Sequence, residues 1–328
     1  MRLEDIGFYT LSDARATTSS SSSPIMRGEQ LITGRCNFAC SYCRKVGGPD
    51  VPRDVFREVA SMLSQEHVQN VRLSGGEPTA HPHLGAYVAT YAAGGAKRIA
   101  LSTNGSADLA FYQHLCDLGV NDYSISLDAC CADDMDKMTG VRGAWATVIG
   151  NIEALSRLSY VTVGLVLTPD NIAQAADTIR FAHDLGVADI RIIPAAQYDN
   201  RLRGVDVPEE LLAAHPILRY RVENIRRGKP VRGLVERDTD RCPLVLDDVA
   251  IMGTAHYACV IHLREGGAPI GQVGSEMRRE RERWFREHDT HADPICLRNC
   301  LDVCVAYNNR WEYLNERDGV AGTLIPYE

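Results

Sequence analysis

The chain has 328 residues, 45% of them hydrophobic, which is long enough for one large domain with an appendage. No stretch approaches the roughly 18 consecutive apolar residues of a membrane span, and the first residues lack the positive flank and apolar core of a secretory signal; the expected location is the cytoplasm, with no membrane partner. A formal net charge of −8 with scattered basic residues argues against a nucleic-acid partner, and the one basic run, at 278–286, alternates with glutamates and reads as a solvated helix.

Residues 17–23 form a Thr/Ser tract closed by Pro24. Such a composition buries too little apolar surface to order itself, so 1–28 is expected to be an N-terminal segment with a mobile linker. From residue 29 the β-rich runs EQLIT, NVRLSGG, RIALSTNG, DYSISLDA, VTVGLVLT and DIRIIPAA alternate with helical patterns at 54–64, 107–118, 145–155 and 172–185. Six βα repeats predict an α/β fold over 29–200, a partial (βα)6 TIM-like barrel of parallel strands with helices outside. An Arg-rich helical connection follows at 201–240. The remainder, 241–328, holds five cysteines and little periodicity, as expected of a small C-terminal domain in which bound metal replaces part of the core.

Eleven cysteines in a chain without a secretory signal point to metal or redox chemistry rather than to disulfides. Cys36, Cys40 and Cys43 stand in a C-x3-C-x2-C loop after the first predicted strand. Three thiolates this close can cap three irons of a [4Fe–4S] cluster and leave the fourth iron open to an outside ligand. A zinc site is the competing reading, but structural zinc closes with four ligands and no nearby His or Cys completes this set.

This loop resembles that of the radical S-adenosylmethionine (SAM) superfamily, in which an aromatic residue, here Tyr42, precedes the third cysteine. The resemblance runs to about Ala196. Gly75, Gly76, Glu77 and Pro78 match the superfamily's Gly-Gly-Glu-Pro loop, whose backbone and glutamate are implied to hold the SAM amine. Thr103 and Asn104 after the third strand, and Ser124, Ser126 and Asp128 on the fourth, resemble polar strand ends that face SAM or substrate; an ordinary capped turn explains each equally well. Ile193 and Pro194 end the sixth strand where the superfamily packs adenine. The resemblance implies a [4Fe–4S] cluster that binds SAM, an electron supplied from outside by a flavodoxin or ferredoxin, and a 5′-deoxyadenosyl radical that takes hydrogen from a substrate carbon.

Cys242 and Cys259 flank Gly253, and Cys296, Cys300 and Cys304 follow at x3 spacing, an arrangement that resembles the superfamily's twitch or SPASM extension and implies one auxiliary [4Fe–4S] cluster with one cysteine over. A four-cysteine zinc knuckle is the alternative. Cys116 reads as a core residue. Cys130 and Cys131 lie at the predicted barrel mouth, where a thiol could donate a hydrogen atom to a substrate radical. The expected reaction is epimerisation or dehydrogenation of a small polyhydroxylated molecule such as a sugar, aminoglycoside or cyclitol. Modification of a ribosomally made peptide is the second reading, and a metal-binding protein without enzymatic activity the third.

Overall fold

The computed structural model describes residues 9–198 and 205–315, so the expected boundary at 200/201 and the end of the chain at 316–328 lie outside the described residues. Six strands, β1 (Arg27–Thr33), β2 (Asn70–Gly75), β3 (Arg98–Thr103), β4 (Asp122–Ser126), β5 (Tyr160–Leu167) and β6 (Asp189–Pro194), pair in chain order and all run parallel. The helices between them are α2 (Arg53–Gln65), α3 (Leu84–Ala93), α4 (Leu109–Leu118), α5 (Ala132–Thr139), α6 (Trp145–Ser156) and α7 (Ala175–Asp184). A short N-terminal helix, α1 (Asp13–Thr18), precedes them. The α/β architecture is the expected one; the strand order is linear rather than closed.

The two faces of this sheet differ in character. Val71, Leu73, Ile99, Leu101, Tyr123, Ile125, Val163 and Ile192 point outward and form one buried core with the helices. Their strand neighbours point the other way. Register places Glu29 beside Arg72, and Ser124 between Ser102 and Thr162, so this inner face is polar. Ser74 donates to Glu29 (2.7 Å), Arg72 to Ser102 (2.8 Å), Arg98 to Asp122 (2.9 Å) and Arg191 to Ser124 (3.1 Å). Buried polar groups persist only with partners, and here each cross-strand pair supplies one.

Two expectations change. The Ser-rich tract is an ordered turn: Ser20 and Ser23 exchange side-chain and backbone hydrogen bonds, and Trp311 donates its indole N–H to the Ser19 carbonyl (3.1 Å). Serine hydroxyls stand in for missing backbone partners in turns, and tertiary packing supplies the apolar contact that the tract's own composition lacks. The C-terminal unit, in turn, extends the main sheet. Its strand β7 (Asp248–Met252) pairs parallel to β1 on the side away from β2, and β8 (Ala255–Tyr257) and β9 (Gly271–Gln272) continue antiparallel, giving nine strands.

Helices α8 (Glu209–Ala214) and α9 (Pro216–Arg226) form the helical connection. The carboxylate of Asp189, at the start of β6, accepts from the backbone N–H groups of Ile217 (2.9 Å) and Leu218 (3.4 Å) in the first turn of α9. Helices α10 (Val260–Arg264), α11 (Met277–Glu287), α12 (Pro294–Asn299) and α13 (Asp302–Asn315) complete the fold, and a buried ion pair between Arg221 and Asp302 ties α9 to α13. Among the described residues no helix is long and apolar enough to cross a membrane.

Candidate active site

The matched motifs lie at the C-terminal ends of β1 to β4 and of β6, where loops of parallel αβ folds form sites. The first cysteine loop leaves β1 at Gly34 and crosses the loop after β2 at close range. A Cβ on Gly75, whose φ is +146°, would lie 2.3 Å from the Thr33 carbonyl, and one on Gly76 2.2 Å from that of Arg35. Without side chains there, Gly76 N–H donates to Thr33 (2.8 Å) and Glu77 N–H to Arg35 (2.7 Å). The two glycines are needed because backbone meets backbone.

Glu77 is buried, and its carboxylate accepts from Thr79 N–H (3.0 Å), the Thr79 hydroxyl (2.8 Å), the Thr103 hydroxyl (2.7 Å) and Asn104 N–H (2.6 Å). This glutamate therefore braces its own loop against the end of β3. Burial pushes its pKa up, while those four donors favour the ionised form. Pro78 opens a 3₁₀ turn beside it.

The cysteine loop is held from every side. Arg35 bonds Asp50 (2.6 Å) and the Ala80 carbonyl (2.7 Å), and Asn104 donates to Asn37 (2.7 Å). Ala39 N–H donates to Thr139 (2.8 Å). Tyr42 gives its phenolic hydrogen to Asp128, whose other oxygen accepts from Val166 N–H (2.7 Å). Gln197 donates to the Tyr42 carbonyl. Asp128 and Tyr42 thus serve each other; burial lifts the Asp128 pKa to about 6. Cys36 and Cys43 are exposed and Cys40 half-buried, with burial lifting the Cys40 thiol to about 11. A thiol with a raised pKa is a poor thiolate until a cationic group replaces its proton.

Ser124 accepts from Arg191, Ser126 is exposed, and Ile193 and Pro194 end β6, where the Pro194 carbonyl accepts from Arg232 (2.8 Å). Cys116 lies half-buried beside the Tyr123 hydroxyl (3.4 Å), as a core residue should. Cys130 is half-buried, and exposed Cys131 donates to Asp134 (3.2 Å) at the start of α5. His81, in the turn after Pro78, is buried and bonds the Val51 carbonyl (3.1 Å), a structural role.

The five C-terminal cysteines gather in one place. Cys242 precedes a 3₁₀ turn, Cys259 caps α10, Cys296 lies in α12, Cys300 caps its C-terminus and Cys304 lies in the first turn of α13. All five thiols are pushed up by burial first, and the charge of the others raises Cys259, Cys296, Cys300 and Cys304 further; Cys259 reaches about 12. Among the described residues, no three cysteine sulfurs lie within 4.8 Å of one another. Sulfurs bound to one zinc through bonds of ~2.3 Å stand only ~3.8 Å apart, so neither thiol group is arranged around a single ion.

Sequence reading missed the arginines. Arg191 faces Arg72 and Arg221, and burial followed by those like charges lowers its pKa to about 10. Arg232 is lowered likewise to about 10, chiefly by burial, and its Nη1 is buried without a hydrogen-bond partner. A cavity of about 610 Å³ opens beside it, bordered by Arg44 next to Cys43, by Glu265 and Tyr198, and by Arg298 and Asn299 next to Cys300. For Arg72 and Arg191 the signal was a charged residue inside a strand already recognised; Arg221 and Arg232 lie outside the strands and gave none.

Residues 31–182 match the sequence profile of the Radical SAM superfamily. This segment is therefore a Radical SAM domain, which implies a [4Fe–4S] cluster and SAM at the first cysteine loop. The "Probable GTP 3',8-cyclase" of Sulfurisphaera tokodaii is 26% identical over 207 residues, covering 61% of this chain and 66% of that protein. The "GTP 3',8-cyclase" of Mesorhizobium japonicum is 28% identical over 218 residues, covering 61% and 65%. The chain thus spans just under two thirds of the length of these relatives. Among solved structures, SuiB of Streptococcus suis superposes with a TM-score of 0.58 at 13% identity, covering 84% of this chain and 67% of that one, a likeness of fold.

These relatives correct the functional expectation. They are named for a GTP cyclase, and not for an epimerase or dehydrogenase of sugars, aminoglycosides or cyclitols, nor for a peptide-modifying enzyme. With that correction the hydrogen-donor role for Cys130 and Cys131 loses the reaction that required it.

Proposed function

We propose that the chain is a two-cluster radical SAM enzyme whose substrate is an anionic purine nucleotide of the GTP type, held between the two thiol groups. The observation that carries this reading is the arginine-bordered cavity of about 610 Å³, whose lining includes both Arg44, beside Cys43, and Asn299, beside Cys300. Its volume suits a small-molecule ligand, and guanidinium groups pair with phosphate through two parallel hydrogen bonds. The names of the relatives agree with such a ligand.

The donor sets suit the groups assigned to them. Cys36, Cys40 and Cys43 would hold a cluster with one open iron, and four of the five C-terminal thiols an auxiliary cluster, because the sulfur spacing is too wide for one zinc. When bound, the first cluster and SAM supply a 5′-deoxyadenosyl radical, the electron coming from an external flavodoxin or ferredoxin. The protein's own part is positional. Gly75 and Gly76 let two loops meet, Glu77 fixes the GGEP loop to β3, and Tyr42 with Gln197 fixes the cysteine loop to β4 and the segment after β6. Arg232, held by the Pro194 carbonyl, borders the cavity and has a buried Nη1 without a hydrogen-bond partner. Rigid placement of this kind is what such catalysis asks of a protein.

The test is anaerobic GTP binding by the reconstituted protein in the presence of SAM, with guanosine as the uncharged control. GTP should bind at least tenfold tighter than guanosine and should raise 5′-deoxyadenosine formation, and Arg232→Ala should remove most of that preference. Equal binding of the two, or no effect of GTP on 5′-deoxyadenosine, contradicts the reading.

A further inference from the structure

A second cluster of ligating atoms lies beside the C-terminal thiols. His288 Nε2, an Asp293 carboxylate oxygen and Cys296 Sγ all lie within 4.8 Å of one another, with Nε2 3.1 Å from Oδ2 and 4.0 Å from Sγ. Donors sharing one zinc through bonds of ~2.0–2.3 Å stand roughly 3.3–3.6 Å apart at tetrahedral angles. The three atoms are therefore already near the spacing that a single ion requires, unlike any three of the cysteine sulfurs.

The surroundings fix the donors. Asp293 caps α12, its Oδ1 accepting from Ile295 N–H (2.7 Å) and Cys296 N–H (3.1 Å), which leaves Oδ2 to face the two histidines. His262 Nε2 reaches that same Oδ2 at 3.2 Å, and its buried Nδ1 has no hydrogen-bond partner. Trp284 stacks on His288 with ring centroids 3.9 Å apart. Outer partners that orient ligands in this way are a regular part of metal sites. A separate cavity of about 540 Å³, bordered by Trp284, His288 and Asp293, opens on this cluster.

We propose that His288, Asp293 and Cys296 bind one zinc ion, with His262 holding the Asp293 carboxylate and the fourth position open to the 540 Å³ cavity. Imidazole, carboxylate and thiolate together suit zinc, and three protein ligands with one open position form a site that takes water or a small anion. The inference rests on the two-cluster reading in one respect: it names Cys296 as the cysteine left over. Cys242, Cys259, Cys300 and Cys304 then hold the auxiliary cluster.

The experiment is zinc and iron analysis of the full-length, anaerobically reconstituted protein as wild type, Cys296→Ser and His288→Gln, with zinc-edge X-ray absorption of the wild type. One zinc per chain with a single sulfur neighbour is expected, falling at least fivefold in both variants while iron and the cluster spectra stay unchanged. Zinc absent, zinc with four sulfur neighbours, or Cys296→Ser losing about half of the iron would each overturn the assignment. A wild type with one zinc lost in both variants, but only half of the iron expected for two clusters, would instead support this site and sink the auxiliary cluster.

Discussion

The phenolic hydroxyl of Tyr42 donates to the buried carboxylate of Asp128, joining the cysteine loop to the end of β4. Removing it leaves the Asp128 carboxylate with the Val166 N–H as its donor. A hydrogen bond to a charged group is worth about 1.5–3 kcal/mol. Tyr42→Phe should lower the thermal midpoint by several degrees and weaken SAM binding at least fivefold, with iron content after reconstitution unchanged. Unaltered SAM affinity would show that the loop does not depend on this tether.

Gly76→Ala introduces a methyl group 2.2 Å from the Arg35 carbonyl and 2.9 Å from that of Gly34, both main-chain atoms. Backbone cannot swing aside as a side chain can, so the two loops must separate. SAM titration should show binding lost by a factor of ten or more, while circular dichroism keeps the wild-type helix content. Wild-type affinity in this variant would mean that the crossing is looser than described.

Much of this was legible in the sequence, and the exceptions have physical causes. The six strands and four of the helices appear as alternating periodicities. Helix α3 did not, because LGAYVATYAA is apolar on nearly all sides and has no polar face to mark its period. The pairing of β7 with β1 was invisible, since Asp248–Met252 lies in a stretch that showed little periodicity and was not read as a strand, and its neighbour lies more than 200 residues away. Cysteine spacing revealed both thiol groups, but not that His288 and Asp293 converge on Cys296, which depends on how α11 and α12 pack.

The run at 278–286, expected to be a solvated helix, hides one buried cation. Arg281 is 1% exposed and donates to the carbonyls of Val245 (2.8 Å), Tyr257 (2.9 Å), Ala258 (3.2 Å) and Asp248. Arg281→Met strips donors from four carbonyls around Cys242 and Cys259. At about 1–3 kcal/mol for each buried group left unpaired, the expected loss is at least 3–5 kcal/mol. Denaturant unfolding should register this, and about half of the bound iron should be lost. Lysine, with one compact ammonium, should not rescue it. A stability change under 1 kcal/mol would contradict the role given to Arg281.

Asp189 gives a pH signature remote from both thiol groups. Burial raises its pKa from 3.8 to about 6, against the opposing hydrogen bonds from Ile217, Ile190 and Leu218. The folded state therefore holds this proton more tightly than the unfolded state. Its favourable contribution is complete below pH 3.8 and is lost as pH rises through about 6. The shift corresponds to at most about 3 kcal/mol. Asp189→Asn should gain stability relative to wild type between pH 4 and pH 7 in chemical denaturation. A difference between the two proteins that does not vary with pH would contradict this.

The function proposed above requires a radical SAM site at Cys36, Cys40 and Cys43 and an independent cluster at the C-terminal thiols. It is tested most directly by iron and sulfide content, together with 5′-deoxyadenosine formed from SAM and dithionite, in wild type and in the Cys36→Ala/Cys40→Ala/Cys43→Ala variant. The expected result is about eight irons in wild type and about four in the variant, with 5′-deoxyadenosine from wild type alone. No 5′-deoxyadenosine from iron-loaded wild type, or an iron content that the three substitutions leave unchanged, would contradict it.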